Sequence, residues 1–281
     1  MSNFLNRIPE KMNSLSRNQQ IVASYIMENL ENVAFDTLKE LANKINVSTT
    51  TIIRFARELG YFGYSDMQKD IQRNIIHKSS LPERLNHSKS ISKNELMKET
   101  FQNDIKNIED TMSFLSENSI NDTIESICTA NQVYVLGLRS SYSLAHYITS
   151  RLAQIRKNVK LVQATGMIYP EEIVSAGKGD ICLAFLFPRY SKTTTTLLSW
   201  LKAYNVKIIL FTSLNYSIVE GYGDVVLPCA VSGISYKNSF AAPLCLINYI
   251  ANACALRSPE KSKKILKQTE EILSQGFYLG I

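Results

Sequence analysis

Two groups of side chains in this sequence could do chemistry, and both are built from hydroxyl and guanidinium groups. The first is Ser48, Thr49, Thr50, Thr51, Arg54 and Arg57. These residues alternate with Ile52, Phe55, Ala56 and Leu59, which keep the spacing of a helix with one buried face. The polar set therefore falls on the opposite, outward face. Hydroxyls and guanidinium forks there suit phosphate oxygens and the edges of base pairs. The second group lies at three places: Gly137-Leu138-Arg139-Ser140-Ser141, then Arg189-Tyr190-Ser191-Lys192-Thr193-Thr194, then Ser213 with Ser217. Each place follows a short apolar run. Three turns that deliver Ser or Thr, with an occasional cation, suit an anion such as a phosphate held at helix starts. The plain alternative at any one turn is a serine capping a helix.

Groups for bond-breaking chemistry are scarcer. An aldose–ketose isomerase needs a carboxylate or imidazole base. The candidates are His146, Glu171 and Glu172. They read more simply as a helix-surface residue and a solvated helix start, so the chain is not expected to be an enzyme. There is no nucleophile elbow, phosphate-binding P-loop, dinucleotide fingerprint or metal-ligand cluster. No cofactor or metal is expected. The five cysteines, Cys128, Cys182, Cys229, Cys245 and Cys254, are odd in number and scattered. They read as reduced thiols of a cytoplasmic protein. The net charge of +6 permits a polyanionic partner without requiring one. The first residues lack the apolar stretch of a signal peptide, and the longest strictly apolar run, 181–188, is too short to span a bilayer. A soluble cytoplasmic protein with no membrane partner is expected.

The elements that must position these groups are also legible. The segment 37–61 reads as two short helices joined by a tight turn. Ala42, Asn46 and Ile52 stand where a helix-turn-helix needs a small residue, a turn residue that tolerates left-handed backbone and an apolar plug. Ser16 with Gln19 and Thr37 with Glu40 form capping boxes, Ser48 caps the helix that follows, and Gly60 ends it. Ser65 with Gln68 is expected to open a further helix. Polar, serine-rich sequence then marks a linker, and Asn94–Leu115 regains a helical period through Leu96, Phe101, Ile105, Ile108 and Met112. From Gln132 onward, apolar runs at 133–138, 159–163, 181–187, 206–211 and 225–228 alternate with amphipathic segments. That alternation predicts a parallel five-stranded sheet with helices on both faces. The expected division is a DNA-binding domain at 1–77, a linker at 78–104, an α/β domain at 105–258 and a helical tail at 259–281. The tail lysines 261, 263, 264 and 267 read as a solvated face.

The whole chain resembles the RpiR/MurR family of bacterial sugar-responsive transcriptional regulators. The resemblance rests on Leu41-Ala42, Val47-Ser48, Thr51-Ile52-Ile53-Arg54-Phe55, Leu59-Gly60-Tyr61 and Gly63-Tyr64. It implies a helical helix-turn-helix domain joined to a flavodoxin-like sugar isomerase (SIS) domain, an α plus α/β architecture. It also implies a double-stranded DNA operator, a phosphosugar effector and a homodimer or homotetramer. By the same resemblance Gly137, Arg139, Ser140 and Ser141 form the first ligand loop. Arg189, Ser191, Thr193 and Thr194 form the second, Ser213 with Ser217 the third, and Ser239 stands at the last helix. Arg139 occupies a position where many such loops have glycine, and the Leu186–Thr194 stretch departs from the usual Ser-x-Ser-Gly-x-Thr form. The function implied is a DNA-binding regulator of sugar metabolism that senses a phosphorylated sugar. The alternatives are a sugar-phosphate isomerase, and a regulator whose SIS domain only dimerises.

Overall fold

The computed structural model describes residues 8, 11–29, 33, 36–78, 81–87, 93–163, 169–214, 216 and 218–276. Contacts divide the chain into two units, Met1–Ser92 with Ser235–Lys237, and Lys93–Ile234 with Asn238–Ile281. Ser217 lies outside the described residues.

The first unit carries α1 (Arg17–Glu28), α2 (Leu38–Lys44), α3 (Thr49–Glu58), α4 (Tyr64–Lys78) and α5 (Leu81–His87). Both capping boxes form. The Ser16 N–H donates to Gln19 Oε1 at 2.9 Å, and the Thr37 N–H to Glu40 Oε2 at 2.7 Å. That second bond holds the Glu40 carboxyl below its usual pKa. Thr37→Ala removes the side-chain half of the box and should lower the stability of this unit by about 1 kcal/mol, read as a lower urea midpoint. The turn between α2 and α3 has Asn46 at φ 52°, with the Val47 N–H closing back on the Ala42 carbonyl at 3.1 Å. Ile26, Leu41, Ile52, Phe55, Met67 and Ile71 are fully buried in one cluster and fix how the helices cross.

One sequence expectation is corrected here. Ser65 does not open the helix after α3. That helix, α4, begins at Tyr64, and the Gly63 carbonyl accepts the Met67 N–H at 3.1 Å. Gln68 turns inward instead. Its amide and the Tyr64 hydroxyl both donate to the Asp36 carbonyl, each at 2.7 Å. This tertiary clamp bolts α4 to the start of α2, and burial pushes the Tyr64 phenol well above its usual pKa.

The second unit runs α6 (Lys93–Phe114), α7 (Glu117–Thr129), β1 (Val133–Gly137), α8 (Tyr142–Ala153), β2 (Val159–Val162), α9 (Tyr169–Ile173), β3 (Ile181–Phe185), α10 (Lys192–Ala203), β4 (Lys207–Ser213), β5 (Val225–Cys229), α11 (Ala241–Arg257) and α12 (Pro259–Leu273). Residues expected as the last part of the linker, 93–104, are thus helical and belong to α6. The sheet has five strands in the order β2-β1-β3-β4-β5, and every pairing is parallel. Alternate residues serve opposite faces, as the pleat requires. Val133, Val135, Leu183, Phe185 and Phe211 pack with α7, α8 and α11. Tyr134, Leu136, Cys182, Ala184 and Leu210 pack with α9 and α10.

The amino edge of the sheet is tied by Asp180. Its carboxylate accepts the N–H groups of Gly177 at 3.0 Å and Gln132 at 3.2 Å, with Gly179 at φ 93° making the turn. All five cysteines are free. Burial pushes the Cys182 and Cys229 thiols up to about 12, whereas Cys245 is exposed on α11. Among the described residues, no helix is long and apolar enough to cross a membrane.

Candidate nucleic-acid interface and anion site

In the first unit, α3 follows the turn at Asn46 and presents a polar face. Ser48 caps it: its Oγ accepts the Thr51 N–H at 3.1 Å and lies 2.9 Å from the Thr51 hydroxyl. These two hydroxyls are therefore partly committed to holding the helix start. Thr50, Arg54 and Arg57 are exposed, and Thr49 is half-buried beside them. Neither arginine forms an ion pair among the described residues. The Glu40 carboxylate, one alternative partner, is occupied by the Thr37 N–H. The first turn of α3 keeps the N–H groups of Thr49 and Thr50 directed outward, where a phosphate is favoured.

Sequence reasoning missed one residue on this face. Ile53 is only half-buried, and it lies on the flank of this face next to Arg57, one turn from both Thr50 and Arg57 along the helix. It lines a shallow hollow of about 570 Å³ with Leu38, Arg57, Phe62 and Lys69. An apolar side chain among polar ones suits the methyl group of thymine. The available signal was its helical spacing, which sets it off from the core positions Ile52, Phe55 and Ala56.

In the second unit, the order in which strands are laid down reverses between β1 and β3 while all of them stay parallel. The chain steps from β1 to β2 on one side, then crosses back to β3 on the other and continues to β4 and β5. Ligands of open α/β sheets bind at the carboxyl ends of strands at such a switch. Gly137 is the last residue of β1, paired with Phe185 at the end of β3. A Cβ built on Gly137 would lie 2.6 Å from the Ser141 carbonyl oxygen and 3.0 Å from Ala145 Cβ, so the loop folds directly over it. Arg139 follows at φ 56° in a short 3₁₀ turn, Arg139–Ser141, that leads into α8. Its left-handed backbone explains why glycine suits this position in related loops. Ser140 is exposed, while Ser141 is buried.

The β3 loop repeats the pattern. Arg189 is exposed at φ 72°. Two non-glycine residues in this conformation, one on each side of the switch, are uncommon and strained. Ser191 caps α10, its Oγ accepting the Thr194 N–H at 3.3 Å, with Thr193 exposed and Thr194 buried. Tyr190 Oη lies 3.3 Å from Ser213 Oγ, joining this loop to the end of β4. Phe187 stacks at a tilt on Phe240, 5.3 Å between ring centres, which brings the start of α11 to the same edge. There Ser239 Oγ accepts the Ala241 N–H at 3.3 Å. Gly137, Arg139, Ser140, Arg189, Ser191, Thr193, Ser213 and Ser239 thus share one edge of the sheet; Ser141, Thr194 and Ser213 are buried there, Ser213 with its hydroxyl against Tyr190.

None of the candidate bases lies in the loops after β1, β3 or β4, although Glu172 stands by the carboxyl end of β2. His146 is exposed on α8 with its ring beside Tyr142. Glu172 accepts the Gln163 N–H at 3.1 Å, and Glu171 is exposed on the short α9. None belongs to the loops just described. Among the described residues, no cluster of His, Cys, Asp and Glu could hold a metal ion.

A helix-turn-helix head together with a five-stranded parallel sheet of this order makes a two-module protein with a flavodoxin-like second domain. Residues 2–78 match the helix-turn-helix domain of the rpiR family, and residues 126–253 match the SIS domain. The chain belongs to the RpiR family of helix-turn-helix and SIS-domain transcriptional regulators. It is 21% identical to the HTH-type transcriptional regulator HexR of Escherichia coli, over 98% of this chain and 95% of that one. Among solved structures it is similar to the Vibrio vulnificus NanR protein complexed with ManNAc-6P. The TM-score is 0.64 at 22% identity, covering 96% of this chain and 98% of that chain. It is also similar to the sugar isomerase domain of an RpiR transcription factor from Sphaerobacter thermophilus. There the TM-score is 0.60 at 22% identity, covering 63% of this chain and 99% of that chain.

Proposed function

We propose that this chain binds operator DNA as a two-fold oligomer through α3, and that a phosphorylated sugar at the carboxyl edge of its sheet alters that binding. The observation that carries the reading is the pair of arginines, Arg139 and Arg189, held in left-handed backbone at the two sides of the topological switch. They stand beside a set of neutral hydroxyls and free helix-start N–H groups, a combination that favours a monoanionic or dianionic phosphate on an uncharged, hydroxyl-rich body. NanR, the similar structure, holds such a molecule. Thr49, Thr50, Arg54 and Arg57 are the proposed DNA contacts, with Ser48 and Thr51 positioning the helix start. We read the chain as a regulator without catalytic turnover; what supports this is that, among the described residues, the loops after β1, β3 and β4 carry cations and hydroxyls rather than a carboxylate or imidazole base.

Selection of bound duplexes from a random pool, with and without a phosphosugar mixture, tests both modules in one experiment. Phosphosugars at millimolar concentration should raise the Tm of the wild-type chain. The Arg139→Ala, Arg189→Ala double variant should lose that rise while keeping its affinity for selected DNA. A Tm unmoved by every phosphosugar would leave the SIS domain as an assembly module. Turnover of any of them, followed by mass spectrometry, would establish an isomerase instead.

A further inference from the structure

Two of the cysteines meet across a helix pair. Cys128 lies on α7 and Cys254 on α11. Cys254 is buried, and the half-buried Cys128 packs against the same core cluster. A side-chain hydrogen bond joins the two thiols. The helices around them fix that register. Glu125, one turn before Cys128, forms an ion pair with Arg257, one turn after Cys254. The two pairs step along α7 and α11 in opposite directions, as antiparallel helices in contact require. The remaining cysteines have no such arrangement. Cys182 and Cys229 are buried on opposite faces of the sheet, and Cys245 is exposed.

Arg156 completes the cluster. Its guanidinium donates to the Ile127 carbonyl and, at 2.9 Å, to the Ala130 carbonyl, so it is held at the end of α7. Its charge reaches both sulfurs from there. Burial pushes the Cys254 thiol well above its usual pKa, and the guanidinium works against that shift. A buried thiol of this kind is inert towards reagents in solution but is well placed to attack a sulfur already beside it.

We propose that Cys128 and Cys254 are a dithiol site that a hydroperoxide converts into a disulfide, stapling α7 to α11. Cys128, the more open of the two, reacts first. Its proton leaves to solvent, and the thiolate attacks one peroxide oxygen. The O–O bond breaks, the sulfur is oxidised to a sulfenic acid, and the departing hydroxide takes up a proton to become water. Cys254 then gives up its proton beside Arg156 and attacks the Cys128 sulfur. The S–O bond breaks, the S–S bond forms, and the hydroxide released combines with that proton. Two thiols and one hydrogen peroxide thus yield one disulfide and two waters. The proposal rests on neither DNA nor phosphosugar binding.

The test treats the reduced full-length chain with hydrogen peroxide, captures the remaining thiols with N-ethylmaleimide and examines non-reduced peptides by mass spectrometry. Two thiols should be lost, the uncaptured chain should become lighter by two hydrogen atoms, and one peptide pair should join Cys128 to Cys254. Dithiothreitol should restore both thiols. Cys245→Ser should behave as the wild type does. Cys254→Ala should stop at a Cys128 sulfenic acid, which dimedone captures. Should that buried change prevent folding, Cys128→Ala decides, and its Cys254 should keep its thiol under the same treatment. Thiols that all survive, Cys128 driven to sulfinic acid while Cys254 stays reduced, or a link that forms only in urea would each overturn the proposal.

Discussion

Arg54→Ala is expected to weaken binding to a selected operator by about 1–3 kcal/mol, roughly 5- to 150-fold at fixed salt. The structure makes this a clean measurement. Arg54 is exposed at mid-helix, on the face opposite Ile52, Phe55 and Ala56, and none of the described residues pairs with its guanidinium. Its removal should therefore leave the fold of the head intact, and the lost free energy belongs to the complex. A residue reading a base edge should also relax preference at one position of the selected sequence. A residue touching only phosphate would weaken all duplexes alike and lower the salt slope by about one. Fluorescence anisotropy over a salt series separates the two. Unchanged affinity at every salt concentration removes Arg54 from the contact surface.

Gly137→Ala should lower the stability of the second unit by about 2–3 kcal/mol, a fall in Tm of roughly 5–10 °C. The added methyl would meet the Ser141 carbonyl oxygen at 2.6 Å, and that atom is backbone in the turn that starts α8. A side chain can rotate away from an intruder; this carbonyl moves only if the turn moves. On the other side the methyl would meet Ala145, which is buried at the start of α8. Relief therefore has to come from the loop that carries Arg139 and Ser140, so phosphosugar response should fall along with Tm. Differential scanning fluorimetry reads the first effect, and the shift with added ligand reads the second. An unchanged Tm would mean that the loop is not packed on β1.

Much of this was legible because local rules and tertiary structure agree. The helix-turn-helix follows from Ala42, Asn46 and Ile52 at their spacing, and Asn46 adopts the left-handed backbone its side chain tolerates. The strands were visible as apolar runs because a parallel sheet covered on both faces buries every residue of its central members, as in β1 and β3. The boundaries moved where partners decide them. Strand β4 extends to Ser213 because Thr212 and Ser213 remain in register with Pro228 and Cys229 of β5, which polarity alone does not reveal.

The misses share a cause. Ser65 with Gln68 has the pattern of a capping box, yet Gln68 finds a carbonyl 32 residues away. The period of α6 was correct, but periodicity says only that one face is apolar, not that it faces its own domain, and Phe101, Ile105 and Met112 stay exposed. At the anion site, hydroxyls could be counted from the sequence. Which of them are buried or spent on caps, as Ser141, Thr194 and Ser191 are, depends on packing.

The thiols have a practical consequence. With Cys182, Cys229 and Cys254 shut inside and Cys128 half-covered, a maleimide dye should react first at Cys245, without mutagenesis. That sulfur stands on α11, one turn from Tyr249 along the helix. A fluorophore there would leave both proposed binding faces unlabelled, so its anisotropy would report DNA binding by the native chain in real time.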